Sequence, residues 1–270
     1  MSDFTLFDPS QRFAEQFKIV QQIGKGGMAT VYEVTHVPSG RSLALKLLDF
    51  SKLNGWDSDE EKEFEREAEA LQSISHPNVV GYGHSFLEDI SIYGKGFHIL
   101  MELIRGKSLK DAIDPSQKIR YHFSADEIDK VLLQSVAGLE AAHNRGIVHR
   151  DPTPHNIMLE YPAGWQEGQP FVFERVVVTD FGIARLRPHG TASETVIGKA
   201  NYLAPEQRRG QSTSTATDWY ILAEALIAAA THKEPPLFDD PRYQASEISK
   251  YDPLALIHRA TNIHPPTKHT

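Results

Sequence analysis

The sequence predicts an α+β protein in two lobes, a front of antiparallel β-sheet plus one main helix and a mainly α-helical back. Three observations predict it. Residues 17–48 alternate apolar and polar side chains between tight glycine turns. At Ser124 the period becomes helical. Residues 219–230 form an apolar run broken by Glu224, which reads as a buried core helix because it is too short for the ~20 residues a bilayer requires.

Taken in order, strands are expected at 17–20 and 30–34, on either side of Gly24-Lys25-Gly26-Gly27. Pro38-Ser39-Gly40 then turns the chain into a third strand over 43–48. Asp57 or Ser58 can cap a charged helix running to about Ser73. Two more strands, 79–86 and 97–101, flank Gly94-Lys95-Gly96, read as their turn. Ser124 with Glu127 makes a capping box, Ile128, Val131, Leu132, Val136 and Leu139 make an apolar stripe, and Gly146 ends the helix. A strand-like stretch over 156–180 precedes a mostly helical remainder, and the lobes are expected to join within 102–107.

The chain has 270 residues and a formal charge of −8, from 28 Lys+Arg against 36 Asp+Glu. That balance argues against a nucleic-acid partner, which calls for a basic footprint. With 40% hydrophobic and 24% charged residues, disorder over most of the length is excluded. There is no cysteine, so disulfides, thiolate catalysis and thiolate metal sites are excluded too. A soluble, cytoplasmic protein with no membrane insertion is expected.

Several residues point to phosphate chemistry. A strand, 31–34, follows Gly24-x-Gly26, where a dinucleotide fingerprint would open into a helix. What remains is a hairpin whose turn, bare of side chains, lets backbone N–H groups approach an anion. Lys46 sits in the apolar strand that follows, where it can reach such phosphates. On the charged helix Phe64, Glu67 and Leu71 share one face, which makes Glu67 the candidate partner for Lys46. His149-Arg150-Asp151 with Asn156, Asp180-Phe181-Gly182 and Ala204-Pro205-Glu206 complete an ordered set that does not arise by chance.

With these motifs the chain resembles the protein kinase family, specifically the bacterial eukaryotic-like (Hanks-type) serine/threonine kinases. Gly24 to Tyr32, His76-Pro77-Asn78-Val79-Val80 and Ala204-Pro205-Glu206-Gln207 share that flavour, and the likeness covers roughly residues 15–268. It implies a single kinase domain over 1–270, with an N-terminal extension (1–14), an N-lobe (15–104) and a C-lobe (105–270), and ATP bound between the lobes. Gly24, Lys25, Gly26 and Gly27 would cover the phosphates, and Lys46, paired to Glu67, would hold them. Asp151 would take the acceptor's proton, while Asn156 and Asp180 would ligate Mg²⁺, with Mn²⁺ as the alternative. The adenine would lie between Val31, Ala44 and Met158 and bond to the backbone at Glu102 and Ile104, with Met101 as gatekeeper. Leu71, Tyr82, Phe181 and His149 would stack into an apolar column.

The implied activity is γ-phosphate transfer from ATP to Ser/Thr hydroxyls of protein substrates, with autophosphorylation at Thr195, Ser193 or Thr191, whose phosphate Arg150 would meet. A nucleotide-binding pseudokinase scaffold is the alternative. The partner expected is a protein substrate, with room for a homodimer through the N-lobe or the activation segment.

The chain also departs from the family pattern. Thr153 stands where the family has Lys, Lys199 where it has Thr, and Pro152 where it has Leu. In the family those first two side chains approach each other and the catalytic Asp. Two readings stand: an exchange, with Lys199 supplying charge near the γ-phosphate and Thr153 taking over the hydroxyl's hydrogen bond, or a Lys199 that points to solvent in a weakened enzyme. Asp218, at the start of the apolar helix, reads either as an N-cap or, by the resemblance, as an anchor for the catalytic loop. Glu206 has only Lys268 as a late cationic match, and the closing C-lobe helix is expected to be absent or to lie past residue 270. Trp165, in an extra loop over 162–170, carries no readable role.

Overall fold

A computed structural model describes residues 13–26, 29–49, 68–90, 94–114, 116, 121–181 and 200–233. The described residues divide into two compact units, one running to Ile104 and the other from Arg105 onward.

The first unit is a five-stranded antiparallel sheet of β1 (Phe17–Lys25), β2 (Ala29–His36), β3 (Ser42–Asp49), β4 (Tyr82–Ile90) and β5 (Gly94–Met101), in the order β1-β2-β3-β5-β4. A helical turn, α1 (Phe13–Gln16), precedes it, and the described part of α2 covers 68–72. Because β3 is central, residues 43–48 are all buried, and alternation sends them to opposite faces. Leu43 and Leu45 join Phe13, Phe17, Val34 and Leu100 in one core cluster, with the Phe13 and Phe17 rings stacked 4.8 Å apart. Ala44 and Lys46 belong to the other face.

The predicted Gly94-Lys95-Gly96 turn is not a turn. Gly94 starts β5, pairing with Ile90, and Gly96 pairs with both Glu88 and Asp49, so ladder bonds on two sides override glycine's weak strand propensity. Residues 91–93 lie outside the described residues.

The second unit holds a small sheet of β6 (Gly106–Ser108), β7 (Ile157–Glu160) and β8 (Arg175–Val178), with α3 (Leu109–Ile113), α4 (Ala125–His143), α5 (Pro205–Arg208) and α6 (Thr215–Thr231). Strand β6 has no signature in sequence, but Gly106 shows what it demands. A Cβ there would stand 2.0 Å from the Leu159 carbonyl oxygen and 2.9 Å from Glu160 Cα, both backbone atoms that cannot yield. Gly106→Ala is expected to part β6 from β7 and to cost about 3 kcal/mol, read as a lower denaturant midpoint.

Helix α4 starts as its local sequence dictates. The Ser124 side chain accepts the Glu127 N–H and the Glu127 carboxylate accepts the Ser124 N–H, while Gly146 follows the helix at φ 73°. Glu127 also accepts the Tyr121 hydroxyl; burial, then that bond, pushes the Tyr121 phenol up to about 12.

The N-cap of α6 is Ser214, not Asp218, which lies one turn inside. The helix is buried on most sides, as its apolar run predicts, so Glu224 is a carboxylate inside the core. Burial raises its pKa, with the Tyr220 hydrogen bond and the Arg208 charge pulling the other way. A folded value above the unfolded one means that Glu224 contributes stability at low pH and loses it as pH rises through the carboxyl range. Glu224→Gln is therefore expected to raise Tm at pH 7, with the gain shrinking as the pH approaches 4.5.

Trp165 acquires a role. Its ring stacks on Tyr161 at 3.8 Å and its Nε1–H donates to the Pro170 carbonyl at 3.1 Å, closing the connection between β7 and β8 on itself. Among the described residues no helix is long and apolar enough to cross a membrane.

Candidate active site

In the first unit the register gathers the predicted nucleotide-facing residues on one sheet face. Val31 of β2 is directly opposite Lys46 of β3, and Ala44 is directly opposite Met101 of β5. Residues opposite one another share a face, as do Ala44 and Lys46 two apart, so Val31, Ala44, Lys46 and Met101 are one set. Lys46 is only 4% exposed, and a buried ammonium needs anionic company. Glu67, its expected partner, lies outside the described residues.

The hairpin of β1 and β2 is closed by the Gly26 N–H donating to the Ala29 carbonyl at 2.7 Å. The fold does not itself require glycine here. A Cβ on Gly24 would meet Val31 at an ordinary 3.5 Å, and one on Gly26 the Ala29 oxygen at 3.6 Å, with neither φ positive. The bare backbone thus suits close approach by something outside the fold. Lys25 closes the ladder opposite Thr30 and is exposed, while Gly27 lies outside the described residues.

Past β5, the Glu102 N–H donates to the Gly81 carbonyl at 2.8 Å, and the Glu102 carboxylate accepts the Gly81 N–H at 3.1 Å. Any backbone bond from Glu102 to a base would therefore use its carbonyl oxygen. Ile104, two residues on, is half-buried.

In the second unit a network of bonds fixes the loop from His149 to Asn156. Asp218 is fully buried, with three donors on its carboxylate. Its Oδ2 accepts the His149 N–H at 2.8 Å and His143 Nε2 at 2.7 Å, and its Oδ1 accepts the Arg150 N–H at 2.5 Å. Those bonds hold Arg150 at φ 69°, a left-handed conformation that costs a residue with a Cβ about 1–2 kcal/mol. Of the two readings of Asp218, the anchor is the one the structure shows.

His149 is buried and its two ring nitrogens have distinct tasks. A carbonyl can only accept, so Nε2 donates to Thr179 O at 2.8 Å; a backbone N–H can only donate, so Nδ1 accepts from Asp151 at 3.2 Å. The ring also lies 4.3 Å from that of Phe181. Leu71, Tyr82 and Phe181, the other members of the expected column, are each buried.

Asn156 fixes Asp151. Its Nδ2 donates to the Asp151 carbonyl at 2.7 Å and to the Asp151 carboxylate at 3.0 Å. That commits the amide nitrogen and directs Oδ1 away as the acceptor, the atom type a hard divalent cation takes. Asp180, one residue past the Thr179 that bonds Asn156 and His149, is held at φ 65°. Mg²⁺ is usually held by one or two such protein oxygens plus substrate phosphates, so the donor set fits it. Met158 follows on β7, opposite Ser108 and Val177.

The Thr153 hydroxyl is buried and, among the described residues, its Oγ1 has no hydrogen-bond partner. Lys199, Thr191, Ser193, Thr195, Gly182 and Lys268 lie outside the described residues. Glu206 accepts the Thr217 hydroxyl at 2.5 Å.

Two residues had no predicted role. Gln207 spans from the Ala204 N–H, which its Oε1 accepts at 3.0 Å, to the Arg150 carbonyl, to which its Nε2 donates at 2.8 Å. Thr213 accepts from Arg150 Nε at 3.2 Å. Nothing in the sequence flags either one beyond the presence of Gln207 in a quoted motif.

The family described as "Protein kinase domain" matches residues 17–269. Relatives include the serine/threonine-protein kinase PrkC of Bacillus subtilis, 33% identical over 227 residues covering 83% of this chain. The probable serine/threonine-protein kinase PknB of Lactococcus lactis is 31% identical over 83% of the chain. A probable serine/threonine-protein kinase of Clostridium acetobutylicum is 34% identical over 90%. The matched part is 32%, 32% and 36% of those relatives' own lengths. The kinase domain of Mycobacterium tuberculosis PknI superposes with a TM-score of 0.62 at 23% identity, covering 89% of this chain and 85% of that one, which shows the fold. By fold and by family match over nearly its whole length, the chain belongs to the protein kinase family.

Proposed function

We propose that the chain is an ATP- and Mg²⁺-dependent protein serine/threonine kinase acting in the cytoplasm on protein substrates. The observation that carries this reading is the pair of hydrogen bonds from Asn156 Nδ2 to the Asp151 carbonyl and carboxylate, which fixes that carboxylate and leaves the amide oxygen uncommitted to Asp151. Asp151 accepts the proton of the acceptor hydroxyl as its oxygen attacks the γ-phosphorus. The bond to the β,γ-bridging oxygen breaks, and ADP leaves with that electron pair. When bound, the metal neutralises charge on the phosphates, with Asp180 and Asn156 as its protein ligands. Lys46 binds the α/β-phosphates and pairs with Glu67, Gly24 to Gly27 cover the phosphates, and Lys199 supplies further positive charge. Val31, Ala44 and Met158 pack the adenine, with Met101 as gatekeeper and Glu102 and Ile104 offering backbone bonds. Thr195, Ser193 and Thr191 are the self-modification sites, in that order.

Incubation with γ-³²P-ATP, Mg²⁺ and a generic protein acceptor, followed by phosphoamino-acid analysis, tests the reaction class. Label is expected on serine and threonine, and EDTA is expected to abolish it, with Mn²⁺ restoring part. Label on tyrosine alone, or transfer insensitive to EDTA, contradicts the reading.

A further inference from the structure

The peptide bond that carries Asp151 is held from both sides. Its N–H, that of Asp151, donates to His149 Nδ1 at 3.2 Å, and its oxygen, that of Arg150, accepts from Gln207 Nε2 at 2.8 Å. The peptide bond before Ala204 is held in the same way. Its oxygen, that of Leu203, accepts from Arg208 Nε at 2.8 Å, and its N–H donates to Gln207 Oε1 at 3.0 Å. One side chain therefore joins two main-chain units that are each clamped on their far side. The orientation of its amide is forced, because a backbone N–H can only donate and a carbonyl can only accept. Gln207 is also the third residue of α5, where accepting the N–H of the cap residue, Ala204, is an ordinary helix-start bond. That bond uses only the oxygen, and a glutamate makes it equally well. The start of α5 thus explains an acceptor at 207 but not the donor, which reaches 57 positions back to the loop of Asp151.

We propose that Gln207 is a positioning residue for phosphoryl transfer, a strut whose amide fixes the peptide plane before Asp151, and with it the carboxylate, relative to the main chain at 203–204. The inference rests on the reading above, in which Asp151 takes the acceptor's proton. Rotation of that plane swings the Asp151 side chain, and a reacting group misplaced by about 1 Å costs about 100-fold in rate. Arg150 at φ 69° favours such movement, which relieves a left-handed conformation.

Wild type, Gln207→Glu and Gln207→Met are compared by amide hydrogen exchange and by steady-state transfer of label to a generic protein acceptor. Glutamate keeps an acceptor for Ala204 and replaces the donor with an oxygen that the Arg150 carbonyl repels; methionine, of similar length, lacks both. For Gln207→Glu the Ala204 amide is expected to stay as protected as in wild type, while the Asp151 amide exchanges about tenfold faster or more. Its kcat is expected to fall about 10–100-fold, with KM for Mg·ATP and for the acceptor within about twofold of wild type. Gln207→Met is expected to lose as much kcat and to free the Ala204 amide as well.

A wild-type kcat in Gln207→Glu overturns the inference, because the helix-start bond is then the one that matters. So does a raised KM at unchanged kcat, which would place Gln207 in binding. A loss of kcat with the Asp151 amide still protected overturns it too, since the base would not have moved. If wild type transfers no more label than an Asp151→Asn control, the kinase reading fails, while exchange at the Asp151 and Ala204 amides still decides whether Gln207 braces the loop.

Discussion

Asp218→Asn is expected to lower stability by about 2–4 kcal/mol and kcat by about 100-fold or more, although no atom of Asp218 need touch a reactant. The carboxylate takes the His149 and Arg150 amides on different oxygens. An asparagine has one oxygen, so in either orientation its NH₂ faces one of those backbone donors, and a buried N–H loses its acceptor. If the orphan is Arg150, nothing holds that residue at φ 69°, and relaxation toward an ordinary conformation carries Asp151 with it. A displacement of 1 Å at a reacting group is enough for the loss in kcat. Faster amide exchange at 149 and 150, with the interior of α6 still protected, would locate the damage in the loop. Wild-type exchange at those amides together with wild-type turnover would contradict the anchoring role.

What could be read from sequence was local. The Ser124–Glu127 capping box involves positions three apart, and the buried character of α6 is written in its composition. The β1–β2 hairpin announces itself through its glycines, and Pro38-Ser39-Gly40 announces the β2–β3 turn whose register sets Val31 opposite Lys46. The motif residues Asp151, Asn156 and Asp180 were legible as types, but the bonds that give them purpose were not. Asp218 reaches Arg150 across 68 positions, and Gln207 reaches it across 57. No periodicity encodes such contacts. Strand β6 is three residues long, and Gly94 and Gly96 became strand because neighbouring strands satisfied their backbones.

Asp151→Asn is the second large effect expected. The asparagine keeps an oxygen for Asn156 Nδ2 and leaves the backbone carbonyl untouched, so stability should change by no more than about 1 kcal/mol. The variant loses the negative charge and the basicity that draw the acceptor's proton, and kcat should fall about 10²–10⁴-fold. Nucleotide affinity should survive, because the contacts assigned to phosphates and base lie on other residues.

That separation of binding from chemistry permits a direct test of the central claim, that the loop from His149 to Asn156 is a phosphoryl-transfer centre rather than the relic of one. Wild type and Asp151→Asn are brought to the same Mg·ATP occupancy, verified by calorimetry, and the transfer of γ-³²P to protein is counted in both. Label in wild type at least about 100-fold above the variant is the predicted result. Equal label in the two proteins, at equal occupancy, would contradict it and leave a nucleotide-binding scaffold.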